Sequence, residues 1–410
     1  MTDRIDVLRL ISRQVRWLSA AIVDAANRGR PDDSGVKTGG HQASSASMVD
    51  IAVALWFDQL SSRDRISVKP HASPVLHAVN HLLGDLDATY LPTLRAEGGL
   101  QSYPSRSKDP DTVDFSTGSV GIGATATVWA AIAHRYLRSH VPEVEPAGRF
   151  VALLGDAELD EGAIWEAVAD PQVARLGEVL WVVDMNRQSL DRVVPDIAIA
   201  RLEAMFEAAG WQVLTLKWGR LVSALFEREG GEELRRRLEE MPNEEYQRML
   251  RVAPDDVADR LLAGQDGAAA LTRLVLDVPA EQLAAAVRDL GGHDLGLLVD
   301  TFAADVDDDR PTVVFAYTVK GRGLPTEGHP QNHSALLSEE QMRTLAHDCG
   351  TDLDDPWAPL EPGDAADLCD VRRRVLAREP ATAARRCASR ATSGTPTASR
   401  SPPRPRWAGS

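Results

Sequence analysis

Two short apolar runs decide how this chain is read: Arg149-Phe-Val-Ala-Leu-Leu-Gly155, followed by Asp156, and Glu178-Val-Leu-Trp-Val-Val-Asp-Met-Asn186. A helical pattern, Ile164–Ala169, lies between them. Gln212–Leu216 and Thr312–Val319 repeat the apolar-run theme farther along. Buried strands alternating with helices predict an α/β fold, with a mostly parallel sheet flanked by helices.

The flanking sequence fits this core. From Ile5 to Ala26, apolar residues recur at three- and four-residue spacing, which predicts a helix that Thr2 or Asp3 can cap. After a glycine-containing break at Gly35–His41, further helices are predicted over Met48–Leu60 and His71–Leu86. Residues of about 221–298 read as a highly charged helical insertion between sheet strands. Residues 1–350 are expected to form one domain. Residues 351–380 read as an acidic linker and a short helix. The tail, 381–410, holds six arginines, no acidic residue and almost no periodic apolar position, so it is expected to be disordered. It resembles the out-of-frame readout of a GC-rich gene, and an intact frame at the parent locus would contradict that.

Composition excludes several classes. Of 410 residues, 43% are hydrophobic and 26% charged, which rules out a wholly disordered chain. A net charge of −16 argues against nucleic acid as a partner. No stretch approaches the roughly 20 apolar residues of a membrane span, and the N-terminus lacks the apolar core of a secretory signal. The three cysteines, Cys349, Cys369 and Cys387, are late and unpaired, against a disulfide framework or zinc site. The expectation is a cytoplasmic, soluble protein with no membrane partner.

Chemistry gathers at the ends of the two strands. Asp156 follows the first and Asn186 closes the second, 30 positions on, a spacing that suits one helical crossover. Parallel strands would bring both side chains to the carboxyl edge of the sheet, where open α/β folds bind ligands. A carboxylate, an amide oxygen and a nearby backbone carbonyl suit magnesium shared with phosphates. An ordinary strand-end acid and turn residue would look the same, and spacing alone leaves both open. Asp114–Gly123 is a glycine-rich turn into the helix Ala124–Leu137, for which helix packing is the commoner explanation than phosphate binding.

Several motifs in one order narrow the reading. Gly155-Asp156 with Asn186 resembles the thiamine-diphosphate motif of the transketolase superfamily. Ile11–Trp17, Gly39-Gly-His-Gln-Ala-Ser44, Ala209–Val213, Gly291-Gly-His-Asp294, Thr318–Gly323 and Glu327–His333 resemble the homodimeric pyruvate dehydrogenases, the decarboxylating component of that complex. The resemblance spans about residues 8–350 and covers the diphosphate-binding half. It implies thiamine diphosphate and Mg2+ as cofactors and a pyruvate-like 2-oxo acid as substrate. The two-carbon unit would pass to a lipoyl acyltransferase.

By the same resemblance, Asp156 and Asn186 bind the metal through side chains and Gln188 through its carbonyl. Gly155 and the Ala157 amide face the diphosphate. The backbone at Gly118 and Val120 lies against the aminopyrimidine. His41, His71 and His333 orient substrate and move protons, with Lys320 assisting. Glu161 joins a carboxylate network across a dimer, although a first-turn helix acid needs no such role. Ala157 and Pro70 stand where the family has glycine. The pyrimidine-binding domain, which supplies an activating glutamate, is expected from a homodimer or a second chain, leaving this chain inactive alone. Transketolase-like ketol transfer and a non-catalytic partner subunit are the alternatives. A Rossmann dehydrogenase is disfavoured, because no early strand is followed by GxGxxG.

Overall fold

In the computed structural model, which describes residues 3–29, 37–186, 188–189, 192–193, 199–265, 267–304 and 309–378, the two apolar runs are neighbouring parallel strands. The strands are β1 (Arg65–Val68), β2 (Phe150–Gly155), β3 (Val179–Met185), β4 (Gln188–Ser189), β5 (Arg192–Val193), β6 (Gln212–Leu216) and β7 (Thr312–Tyr317). Five form one sheet in the order β1-β2-β3-β7-β6, and every pairing is parallel. β4 and β5 form a separate antiparallel hairpin.

Alternation along each strand divides the core in two. Val151 and Leu153 of β2, Leu180 and Val182 of β3, and Val314 and Ala316 of β7 face one side, with the helices Arg4–Arg28, Val49–Ala54 and Ser73–Leu82. Phe150, Ala152, Leu154, Trp181, Val183, Val313 and Phe315 face the other, with the helix Ile122–His140 and the insertion as far as Leu290, while the helix Leu295–Ala303 packs on the first side. A parallel sheet buried on both faces needs apolar residues at both parities, which is why these strands read as unbroken runs. On the second side Trp181, fully buried, packs 4.7 Å from Trp211 and donates its indole N–H to Thr127 Oγ1 at 3.1 Å.

The insertion forms between β6 and β7, with short helices from Arg220–Phe226 to Leu295–Ala303. Two local expectations are adjusted, and one strand, β1, had not been expected. The four-residue strand β1 is too short to show a period in sequence. The helix expected over Met48–Leu60 is α-helical at Val49–Ala54 and then widens to a π-turn at Leu55–Gln59. At this widened end Arg372 donates to the carbonyls of Trp56, at 2.7 Å, and Leu60. The segment expected as helix from His71 starts as a 3-10 turn, and its α-helix is Ser73–Leu82. Helix Asp364–Leu376 packs with Cys369 in the first core. The tail expectation, 381–410, lies outside the described residues. No helix among the described residues is long and apolar enough to cross a membrane.

Candidate functional site

Register fixes the site. Gly155 of β2 pairs with Asp184 of β3, which pairs with Ala316 of β7. Asp156 and Asn186 therefore leave adjacent strands at the same carboxyl edge. His71 follows β1 and Lys320 follows β7 at that edge.

At the end of β2, Asp156 is half-buried and its Oδ1 accepts the Ala157 N–H at 2.9 Å. The Gly155 N–H donates to Glu158 Oε1 at 2.9 Å, and the Gly121 N–H to Glu158 Oε2 at 2.9 Å. Glu158 thus joins the turn after β2 to the start of helix Ile122–His140. Burial pushes its pKa up, against the lowering pull of these two amides. Asn186 is buried, and its Nδ2 donates to Asp184 Oδ2 at 3.2 Å, which turns Oδ1 away from that carboxylate. Gln188 opens β4, just beyond.

The donor set fits a hard cation with an anionic ligand. A carboxylate and an amide oxygen stand on neighbouring strand ends, and both are oxygen donors. Gly155 adds a second indication. Its φ is −88°, and a Cβ there would make ordinary contacts at 3.9 Å or more, so the fold itself does not require glycine. A bare backbone at that point suits close approach by a ligand.

Beneath this edge lies a charge pair that sequence reading did not assign. Asp184, with no exposed surface, pairs with the buried ammonium of Lys69. It also accepts from Ser47 Oγ at 2.7 Å and from Thr318 Oγ1. The charge of Lys69 and these hydrogen bonds hold its pKa down although burial alone would raise it. The signal was an acid inside the apolar run of β3, since a charge there must find partners.

The three histidines meet. The His41 and His71 rings stack with centroids 4.1 Å apart, and His333 lies 5.1 Å from His41 and 5.4 Å from His71. Lys320 Nζ is 2.9 Å from His333 Nδ1 and, as an ammonium, donates to it. Gly321 N–H donates to the Ala43 carbonyl at 2.9 Å, and Ser45 Oγ to the His71 carbonyl at 3.2 Å, so the three segments are tied together. Burial, then the neighbouring His333, Arg95, Lys320 and Lys69, lowers the His41 pKa to about 4. Burial, then His41 and Lys69, lowers His71 to about 3. Both are neutral near pH 7, and each can then donate and accept one hydrogen bond.

The remaining expected site residues frame this edge. Gly118 is half-buried at a φ of 153°, and Val120 is exposed. Glu161 is exposed, as is Ala157. Gly121, which follows Val120, has a φ of 81°, a left-handed turn that glycine adopts without strain. Val120, just before the helix Ile122–His140, and Ile122, Trp129, Tyr136 and Leu137 within it are exposed.

Two further histidines are structural. His293 Nε2 accepts the Val319 N–H at 2.8 Å, so that nitrogen carries no proton. Its Nδ1–H then donates to Asp50 at 3.0 Å, and burial keeps the ring neutral. His77, to which sequence gave no role, is fully buried between two acids. Its Nδ1 is 2.8 Å from Asp111, and its Nε2 3.9 Å from Asp109. Burial alone would lower its pKa, but the hydrogen bond and charge of Asp111, then Asp109, raise it. This cluster pins the loop before Gly118 to the helix Ser73–Leu82, which follows His71. A raised histidine pKa contributes stability that is complete below the unfolded value near 6.5 and is lost as pH rises through the folded value. Urea midpoints are therefore expected to fall from pH 6 to pH 9, and His77→Gln is expected to remove most of that slope. Breaking the buried pair in His77→Ala is expected to cost about 3 kcal/mol at pH 6. A wild-type midpoint that does not change with pH would contradict this reading.

The family described as transketolase, thiamine diphosphate binding domain, matches residues 10–227. The chain belongs to this family of thiamine-diphosphate-binding domains. It is 31% identical over 329 residues to the pyruvate dehydrogenase E1 component of Pseudomonas aeruginosa, covering 77% of this chain and 36% of that protein. It is 29% identical over 350 residues to that of Corynebacterium glutamicum, covering 82% of this chain and 36% of that protein. The chain thus spans little more than a third of the length of these curated relatives. Transketolase from Campylobacter jejuni has a similar fold, with a TM-score of 0.62 and 19% identity over 90% of this chain and 46% of that one. Transketolase from Leishmania mexicana gives 0.57 and 19%, over 94% of this chain and 45% of that one.

Proposed function

We propose that this chain is the diphosphate- and magnesium-binding portion of a thiamine-diphosphate-dependent enzyme that decarboxylates a pyruvate-like 2-oxo acid and transfers the two-carbon unit. The observation that carries this is the exit of Asp156 and Asn186 from adjacent parallel strands at the edge that also bears the histidines. The relatives by sequence are pyruvate dehydrogenase E1 components, and the helical insertion and the Glu327–His333 segment favour that reaction over ketol transfer.

Asp156, the Asn186 amide oxygen and the Gln188 carbonyl would hold Mg2+. For the Gly155 and Ala157 amides to face the diphosphate, they must exchange Glu158 and Asp156 for it. The backbone at Gly118 and Val120 would line the aminopyrimidine. When bound, thiamine diphosphate supplies a nucleophilic carbon and an electron sink for loss of carbon dioxide. Neutral His41 and His71 would orient the substrate carboxylate and hold a proton near the reacting carbon. Lys320 would keep His333 Nδ1 unprotonated, leaving Nε2 as its donor.

The exposed face Val120, Ile122, Trp129, Tyr136 and Leu137, beside Glu161, is where a pyrimidine-binding domain of a homodimer or second chain would pack. A lipoyl acyltransferase would take the product, in the cytoplasm. Ala157 favours a second reading, a partner subunit that keeps the fold without catalysis. With the complementary domain supplied, carbon dioxide release from pyruvate supports the first reading. Turnover of ketose phosphates instead would establish ketol transfer. Cofactor binding without either would establish the partner subunit.

A further inference from the structure

Asn186 is not the strongest oxygen ligand at the end of β3. Asp184, in the same strand end, is a full carboxylate, and its Oδ2 lies 3.2 Å from the Asn186 amide. A hard cation prefers a carboxylate to a neutral amide. What stands against Asp184 is Lys69. That side chain leaves the end of β1, passes Gly155 of β2 and pairs with Asp184 of β3. Strands lie about 4.8 Å apart, so the crossing spans two strand spacings and uses the full length of a lysine. A Cβ on Gly155 would stand 3.9 Å from Lys69 Cδ, which locates the crossing beside the diphosphate-facing backbone. Ser47 and Thr318 donate to the same carboxylate from two further segments.

We infer that Lys69 is a positioning residue for the metal. Its ammonium neutralises Asp184, so that the cation is held at Asp156 and Asn186, within reach of a diphosphate, and is not drawn to the buried acid. This rests on the proposed roles of Asp156 and Asn186. It makes metal uptake conditional on cofactor, because Asp156 is then the one carboxylate among the proposed ligands. Without Lys69, Asp184 becomes a competing ligand and metal binding no longer needs phosphate oxygens.

The test uses the full chain with Mn2+ as a paramagnetic probe, and reads bound Mn2+ with and without thiamine diphosphate. Wild type is expected to take up Mn2+ when the cofactor is present and little without it. Lys69→Met is expected to bind Mn2+ alone about 10-fold more tightly or better, on the scale of supporting-residue effects on metal sites. Adding Asp184→Asn to that variant is expected to remove the gain. Asp184→Asn alone leaves the ammonium uncompensated and is expected to weaken cofactor-dependent uptake by about 10-fold or more. Loss of a structural contact would not produce tighter metal binding. If Lys69→Met does not fold, Asp184→Asn and Lys69→Arg carry the test, and arginine is expected to behave as wild type. No uptake by wild type with cofactor overturns the metal-site reading itself. Uptake by wild type that is unchanged in folded Lys69→Met and Asp184→Asn overturns the role of Lys69.

Discussion

Purified alone, with thiamine diphosphate and Mg2+ present, the chain is expected to leave pyruvate unchanged, and supplying a pyrimidine-binding domain is expected to start carbon dioxide release. The reason lies in what the described residues contain. They hold one five-stranded parallel sheet, and its carboxyl edge carries Asp156, Asn186 and the three histidines. The resemblance places the glutamate that activates the aminopyrimidine on a different domain. A positioned acid or base contributes on the order of 100- to 10,000-fold. Without it, turnover should lie at least about 100-fold below that of the complemented protein. Carbon dioxide release at equal cofactor saturation measures the difference. Full turnover by the chain alone would place the activating group within these residues and withdraw the half-site reading.

The second large effect is expected at Asp156. Asp156→Ala should weaken magnesium-dependent cofactor binding by about 100-fold or more, because even supporting residues around a metal cost 10- to 100-fold. The fold should survive, since Asp156 is half-buried at a strand end and the sheet core lies behind it. Far-ultraviolet circular dichroism should therefore match wild type. Asp156→Asn keeps an oxygen donor and loses the charge, so its affinity should fall between the two. Unaltered binding in Asp156→Ala would move the metal elsewhere on this edge, with Asp184 the next carboxylate.

How much of this was legible depends on what each feature needs. The strands β2, β3 and β7 were readable because burial on both faces demands apolar runs, whereas β6, part-exposed at the sheet edge, was readable from Val213, Leu214 and Leu216. Strand β1 was not, because Arg65-Ile-Ser-Val68 is four residues long and its place is set by pairing with β2. That Asp156 and Asn186 share one sheet edge could be read from strand ends and spacing, whereas a metal role came only with the resemblance. That His41, His71 and His333 converge could not be read from spacing, since they come from three loops tied by Gly321–Ala43 and Ser45–His71 hydrogen bonds. Lys69–Asp184 and His77–Asp111 were missed for a related reason. A buried ion pair is defined by two positions far apart in sequence, and each alone reads as an ordinary charge. The π-turn at Leu55–Gln59 has its partner, Arg372, still farther away.

The most direct measurement is a calorimetric titration of the chain with thiamine diphosphate, in the presence of Mg2+ and again with the metal chelated. The expected result is saturable binding with Mg2+, near one cofactor per chain, and binding at least about 100-fold weaker without it, since the ion carries much of the site's charge. Equal binding in the two conditions, or none in either, would contradict a diphosphate site built on Asp156 and Asn186.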